Sequence, residues 1–93
     1  MHGEYKTPGG KLVVADFAVE GDQLRQIRVS GDFFLYPEEA LATIDGALEG
    51  APVSDDEAAL AARIAAALAS DVTMLGFSPE AVAKAVRRGL GDA

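Results

Sequence analysis

The feature that most constrains the fold is a sharp change of composition at Tyr36-Pro37. Five of the six aromatic residues and the β-branched runs precede it, whereas sixteen of the eighteen alanines follow it. Aromatic and β-branched residues favour strands, and alanine has the highest helix propensity. Strands followed by helices predict an α+β domain, with helices on one face of an antiparallel sheet. At 93 residues, we expect a single domain over residues 1–93.

Alternating apolar residues predict two long strands joined by a tight turn. The first covers Lys11–Glu20 and the second Gln23–Ser30. Gly21-Asp22 lies between them and is typical of a type II′ turn, because glycine comes first. Leu24 does not follow the alternation of the apolar residues after it, which indicates either a β-bulge or a change of register in the second strand.

The next apolar segment, Phe33–Tyr36, is predicted to be the third short strand of the same sheet. Because it is apolar on both faces, it is either covered on both sides or covered by a partner. Three helices are expected after it. They are predicted to begin at Pro37, at a capping box from Ser54 to Glu57, and after the cap Ser78.

Missing residue types exclude several kinds of chemistry. Without cysteine, the chain has no thiol nucleophile, no disulfide and no Cys/His metal cluster. His2 is the only histidine, and its position beside the terminus suits a solvated residue better than a catalytic triad. Apolar runs such as Leu12–Ala15 are far too short for a membrane span or a signal peptide. We therefore expect a cytoplasmic protein that does not bind membranes.

The net charge of −7 disfavours binding to nucleic acid. The acidity is concentrated between Arg28 and Arg63, a segment without basic residues. It contains eight carboxylates: Asp32, Glu38, Glu39, Asp45, Glu49, Asp55, Asp56 and Glu57. Most of them precede or begin predicted helices, where the helix dipole favours negative charge. This structural interpretation is simpler than a catalytic or Mg²⁺-binding carboxylate pair.

A glycine motif is the first candidate for ligand binding. Pro8-Gly9-Gly10-Lys11 frees the backbone to approach a ligand, and a lysine adds positive charge. Its spacing is not that of a P-loop, and on spacing alone a flexible turn into the first strand is the simpler interpretation. A second basic group lies near the end of the chain: Lys84, Arg87 and Arg88. That group is explained by the C-terminal end of a helix dipole.

Two longer stretches together resemble a known family. Glu4-Tyr5-Lys6-Thr7-Pro8-Gly9-Gly10-Lys11-Leu12 is followed, about twenty residues further on, by Gly31-Asp32-Phe33-Phe34-Leu35-Tyr36-Pro37-Glu38-Glu39-Ala40-Leu41. The helix start Leu75-Gly76-Phe77-Ser78-Pro79-Glu80 also fits. The chain is similar over almost its whole length to the C-terminal accessory domain of lipoate–protein ligases. It most resembles the form that is a separate small subunit in archaeal two-part ligases.

The resemblance implies a fold and an activity. The implied fold is SufE/NifU-like, a small three-stranded antiparallel sheet packed with about three helices. The sulfur-acceptor and scaffold relatives need cysteines, so their chemistry is excluded here. Lipoate–protein ligases use ATP and Mg²⁺ to convert lipoate to lipoyl-adenylate, and then transfer the lipoyl group to a lysine of a lipoyl domain.

The same resemblance implies that the catalytic lysine and the nucleotide pocket belong to a large subunit. This chain is then a non-catalytic accessory subunit, without a metal site or bound cofactor of its own. Lipoate, ATP and Mg²⁺ are expected only in the complex, and lipoyl-domain acceptors are indirect partners. The positions that match the family suggest these ligand or partner contacts: Lys6, Gly9, Gly10, Lys11, Asp32, Phe33, Phe34 and Tyr36.

Within that set, the glycines and Lys11 are expected to help close the large subunit's site over the nucleotide phosphates. Phe33, Phe34 and Tyr36 either anchor the interface or form the floor beneath this loop. The alternative is a stand-alone interaction or small-ligand-binding module that has lost its ligase. A lipoyl or biotinyl carrier is disfavoured because the turn Glu20–Gln23 has no lysine, and an acyl carrier because no Asp-Ser-Leu tripeptide occurs.

Overall fold

The computed structural model describes residues 1–92, which form five strands and three helices. They are β1 (His2–Lys6), β2 (Leu12–Glu20), β3 (Gln23–Gly31), β4 (Phe34–Tyr36), α1 (Ala40–Leu48), α2 (Glu57–Ala67), β5 (Thr73–Leu75) and α3 (Pro79–Gly89). The main antiparallel sheet has the strand order β1-β2-β3, and β4 pairs with β5 in a separate two-stranded sheet. The α+β class, the three-stranded sheet and the three helices are therefore confirmed.

The predicted strand Phe33–Tyr36 is present as β4, but its placement is wrong, because β1 and not this strand completes the main sheet. β1 pairs with β2 from His2↔Asp16 to Lys6↔Leu12. Its periodicity is hidden in the sequence because Gly3 occupies a core-facing position. A Cβ at Gly3 would lie 1.9 Å from the carbonyl oxygen of Ala85, so close approach of α3 requires glycine there.

The β2–β3 hairpin is confirmed, but its turn is of another type. Gly21 and Asp22 both have positive φ, 57° and 62°, which defines a type I′ rather than a type II′ turn. The expected bulge is present and is centred on Gln26, whose φ is 55°. Because of this extra residue, Leu24 and Ile27 both point into the core.

All three helices cover one face of the main sheet, and the hydrophobic core lies between the two layers. α3 packs on β1 and β2, α1 packs on β3, and α2 packs against both other helices. The largest fully buried side chains are Leu24, Ile44, Leu48, Leu60, Ile64, Val13, Val82 and Val86. Within residues 1–92, no buried residue is polar or charged.

Two of the predicted helix starts need correction. α1 begins at Ala40 rather than Pro37, because the N–H groups of Ala40 and Leu41 close a turn onto Pro37 and Glu38 first. Glu38 and Glu39 therefore precede the helix instead of forming its first turn. α2 is capped by Asp56, whose Oδ1 accepts from the N–H of Ala59 at 2.8 Å.

The third helix begins as predicted. Ser78 Oγ accepts from the N–H of Ala81 at 3.1 Å, and Pro79 is the first helical residue. Gly89 is the last residue of the helix. Leu90 follows as the C-cap, and Gly91 has the positive φ of 112°.

The expected capping box fails because the segment before α2 is held elsewhere. The N–H of Val53 donates to the carbonyl of Asp22 at 2.9 Å, and Pro52 forms a β-bridge with Gln23. Ser54 therefore lies in the turn that leaves this bridge, two residues too early to cap the helix.

Candidate ligand and partner surface

The two-stranded sheet determines which predicted site residues reach the surface. β4 and β5 pair through Phe34↔Leu75, Leu35↔Met74 and Tyr36↔Thr73. Leu35 and Met74 pack against the core. Phe34, Tyr36 and Leu75 point outward and are 71%, 73% and 58% exposed. We call these three residues the apolar face.

Phe33 has a different environment from its two aromatic neighbours. Its ring stacks on that of Phe77, with 3.8 Å between the ring centroids and 22° between the planes. Phe77 is buried just before α3. The stack therefore fixes the start of β4 to the start of α3, while Phe34 and Tyr36 remain at the surface.

The glycine motif forms a turn between β1 and β2 that is hydrogen-bonded within itself. The N–H of Gly10 donates to the carbonyl of Thr7 at 2.8 Å, and the N–H of Lys11 donates to Thr7 Oγ1 at 3.2 Å. Two N–H groups of the glycine motif are thus engaged inside the turn.

This turn is fastened to the end of β5. Thr7 Oγ1 donates to the carbonyl of Gly76 at 3.1 Å. A Cβ at Gly76 would lie 2.6 Å from Cγ of Lys11, so the aliphatic stem of Lys11 lies over this glycine. Within residues 1–92, neither Lys6 nor Lys11 has a carboxylate within 4.0 Å. Their charges are therefore available to a ligand or a partner.

Asp32 is held in place by two hydrogen bonds to the backbone of Leu12. Its Oδ1 accepts from the N–H of Leu12 at 2.5 Å, and its own N–H donates to the carbonyl of Leu12 at 3.2 Å. Asp32 thus ties the exit of β3 to the start of β2. It lies among the predicted contact residues, but its carboxylate is engaged inside the chain.

Two grooves border these residues. The first, about 430 Å³, runs between the glycine turn and the start of α3. It is lined by Tyr5, Thr7, Pro8, Gly9, Glu57, Gly76, Phe77, Ser78, Glu80, Ala81 and Lys84. The second, about 380 Å³, lies between the end of β3, β4 and α1. It is lined by Ser30, Gly31, Phe33, Phe34, Leu35, Glu38 and Leu41.

The structure adds residues that the sequence interpretation left out of the site. Leu75 belongs to the apolar face, Gly76 holds the glycine turn, and Phe77 supports Phe33. All three lie in the Leu75–Glu80 stretch, which contributed to the resemblance only as a helix start. The Leu75–Glu80 motif was therefore the sequence signal from which these three residues could have been found.

The basic residues near the end of the chain have internal partners. Arg87 donates to the carbonyls of Val53 and Asp55 at 2.8 and 3.0 Å, and it pairs with Asp92. Its bond to Asp92 raises the pKa of Arg87. The charges of Lys84 and Arg88 lie 5.1 and 5.0 Å from the centre of the Tyr5 ring, as cation–π pairs.

His2 is exposed but not simply solvated, which corrects the sequence interpretation. Its Nε2 lies 2.7 Å from Glu4 Oε2, and its Nδ1 lies 2.6 Å from Asp16 Oδ1. Hydrogen bonding to Glu4, and then to Asp16, raises the pKa of His2. These bonds brace the β1–β2 pair on the face opposite the helices.

Two negative findings apply to residues 1–92. No three His, Asp or Glu side chains converge closely enough to hold a metal ion. No helix in this range has both the length and the apolar character needed to cross a bilayer.

Fold and surface together define an α+β domain with a glycine turn and an apolar face at one end. Among solved structures, the chain is similar to one from an archaeal lipoylation system, a bi-partite lipoate protein ligase and its E2 lipoyl domain from Thermoplasma acidophilum. The TM-score is 0.70 at 24% identity, and the match covers 94% of this chain and 98% of the other. The two chains share their fold over nearly their full lengths. No family profile matches the chain, and no curated protein does.

Proposed function

We propose that this chain is a non-catalytic accessory subunit of a two-part lipoate–protein ligase. In this proposal it works in the cytoplasm and assists the ATP-dependent activation of lipoate to lipoyl-adenylate. One observation carries the proposal: the stretches that resemble the ligase accessory domain converge on one end of the molecule. Thr7 bonds to Gly76, and Asp32 bonds to Leu12. The fold shared with a chain of the archaeal bi-partite ligase structure supports the same function.

The residues at this end have two roles in this proposal: some contact the catalytic subunit, and others hold the contacting segment in place. Phe34 and Tyr36 offer exposed aromatic surface to a catalytic subunit, while the Phe33–Phe77 stack and Asp32 hold the segment in place. Lys6 and Lys11 provide positive charge beside it, where the phosphates of a nucleotide bound to the catalytic subunit would be attracted. Gly9 gives the turn a side-chain-free surface.

The chemical step belongs to the catalytic subunit in this proposal. When bound there, ATP and Mg²⁺ supply the activation of the lipoate carboxylate, and a lysine of a lipoyl domain later accepts the lipoyl group. The contribution of this chain is to cover the site, because exclusion of water protects an acyl-adenylate from hydrolysis.

Reconstitution of the two subunits tests the proposal. Lipoyl-adenylate formation and transfer from preformed lipoyl-adenylate are measured separately, with and without this chain. We expect the chain to be required for the first reaction. Lys11→Ala should slow it by roughly 10- to 100-fold, if one charge-assisted hydrogen bond is lost. Transfer should be unchanged.

Arg28→Ala is the matched control, because it also removes one exposed positive charge, on the sheet face opposite the helices. It should leave both reactions unchanged. Equal loss of both reactions in Lys11→Ala would contradict the role in activation. Failure of the wild-type chain to form a complex with any catalytic ligase subunit would favour the stand-alone module instead.

A further inference from the structure

The apolar face is the strongest unexplained feature of the surface. Within residues 1–92 the large apolar side chains that are exposed are Met1, Phe34, Tyr36 and Leu75. Three of these four lie on the outward side of one short strand pair. Apolar side chains clustered in this way mark interaction surfaces, and aromatic residues are typical anchors of protein interfaces.

One end of this face is acidic, whereas the other carries Lys11 beside Asp32, whose carboxylate is bonded to the N–H of Leu12. Beyond the Tyr36↔Thr73 pair, β4 continues to the exposed Glu38 and Glu39, and β5 is preceded by the exposed Asp71. None of these three carboxylates has an ion-pair partner among the described residues. Beyond the opposite pair, Phe34↔Leu75, lies Gly76 with the stem of Lys11 over it.

The face also has a concave part. The groove of about 380 Å³ between β4 and α1 is lined by the apolar side chains of Phe33, Phe34 and Leu41, among others, and by Glu38 at its rim. Phe34 therefore forms both a protruding anchor and one wall of an open groove. A flat lipid surface would not fill such a groove, whereas a protein surface with its own side chains would.

We infer that the apolar face is the docking surface for the catalytic subunit, and that the partner presents an apolar patch bordered by arginine or lysine opposite Glu38, Glu39 and Asp71. This inference rests on the proposed function and names the chemistry of its interface. The asymmetry of charge fixes which end of the face meets which end of the partner. It places the Lys11 end away from the partner's basic border, on the side where an anion would be bound.

A second copy of the chain fits this face less well. Three carboxylates oppose a single lysine charge, so two copies packed face to face would bring an excess of negative charge together. The net charge of −7 on each chain adds to that repulsion. A basic partner surface balances the excess instead.

Binding kinetics between immobilised chain and purified catalytic subunit test the inference. Phe34→Ala/Leu75→Ala should dissociate faster and bind at least about 30-fold more weakly, as expected for loss of interface anchors. Val14→Ala, on the open face of the main sheet, is the control and should bind as the wild type does. Because Phe34 and Leu75 are mostly exposed, the thermal midpoint of the double variant should stay close to that of the wild type.

A charge-reversal pair tests the polarity without touching the anchors. Glu38→Lys should slow association and weaken its dependence on salt, since rim charges act mainly on the association rate. Glu20→Lys changes the net charge equally, at the far end of the β2–β3 hairpin, and should have little effect. If the Phe34→Ala/Leu75→Ala variant fails to fold, the comparison of Glu38→Lys with Glu20→Lys still tests the docking inference.

Each outcome has a defined meaning. If the wild type forms the complex and the anchor and charge variants bind equally well, the docking inference is wrong while the proposed function stands. If the wild type forms no complex, both are wrong. Self-association of the chain that the Phe34→Ala/Leu75→Ala variant abolishes would assign the face to a second copy and overturn the inference.

Discussion

The carboxylate of Asp45 accepts a hydrogen bond from the backbone N–H of Val29, with 3.0 Å between the two heavy atoms. Val29 lies in β3, which is an edge strand of the main sheet, and Asp45 lies in α1. Farther along the helix, Glu49 reaches the N–H groups of Gln26 and Ile27 at 3.3 and 3.4 Å. Helix carboxylates thus cover an edge that would otherwise offer free N–H groups to another strand.

Removal of the Asp45 acceptor should destabilise the fold. Asp45→Ala leaves the N–H of Val29 without a partner, and we expect a loss of about 1–3 kcal/mol in the free energy of unfolding. Burial raises the pKa of Asp45, which means that the negative charge itself is disfavoured in the folded state. Asp45→Asn keeps an acceptor and removes the charge, so it should lose less than Asp45→Ala. Denaturation with urea distinguishes the two variants, and equal losses would contradict this assignment.

The pH dependence of His2 follows from its two carboxylate partners. Its pKa in the folded chain lies above the ordinary value of 6.5. The stabilising contribution of the charged ring is therefore fully present below pH 6.5, and it is lost as the pH rises through the raised pKa. Because His2 is the only histidine, its ring resonances in an NMR titration are unambiguous.

Glu4→Gln should lower this pKa towards 6.5, and by more than Asp16→Asn, since the bond to Glu4 is the largest cause of the shift. An unchanged titration in both variants would show that neither hydrogen bond forms in solution.

Gly3 should be among the least replaceable residues of the chain. A Cβ there would lie 1.9 Å from the oxygen of Ala85 and 2.4 Å from the nitrogen of Gly89, both of which are backbone atoms. Gly3→Ala should therefore cost about 1–3 kcal/mol or more, as expected for overpacking against rigid neighbours. Gly46→Ala is the control. Its Cβ would meet nothing within 4 Å, and helix propensity predicts a gain of roughly 0.5–1 kcal/mol.

Gly76 should matter for function more than for overall stability. Its φ is 88°, and a Cβ would lie 2.6 Å from Cγ of Lys11. Gly76→Ala should displace the lysine stem and slow lipoyl-adenylate formation in the reconstituted pair. Gly9→Ala, in the same region but with open space around its Cβ, should be milder unless the catalytic subunit packs directly on it. Equal activity of Gly76→Ala and wild type would show that the position of Lys11 is unimportant.

How well the sequence predicts each element depends on whether the determining contact is local. The β2–β3 hairpin and the start of α3 were predictable, because alternation, a glycine turn and the Ser78-Pro79 cap act between neighbours in the sequence. β1 was missed because α3, which is distant in sequence, demands glycine at the position where a strand pattern expects an apolar residue. The pairing of β4 with β5 and the role of Asp45 likewise depend on partners that no local pattern reveals.

The candidate site was predictable in part for the same reason. The glycine turn and the aromatic segment were recognised as motifs, and the fold brings them to one end of the molecule. Their individual roles depend on contacts across the chain. Asp32 is bound to Leu12, Phe33 to Phe77, and Lys11 lies over Gly76. Only the structure separates the partly buried Phe33 from the exposed Phe34.

The close packing of Gly3 against Gly89 also has a consequence for how the chain reaches its native state. This contact joins the first strand of the sheet to the last turn of α3, so it spans almost the whole sequence. During synthesis on the ribosome, β2 and β3 can form their hairpin early, but β1 must wait for α3 before its helix-facing side is covered. We therefore expect the domain to become resistant to proteases only after residue 89 has left the ribosome, in a single late step.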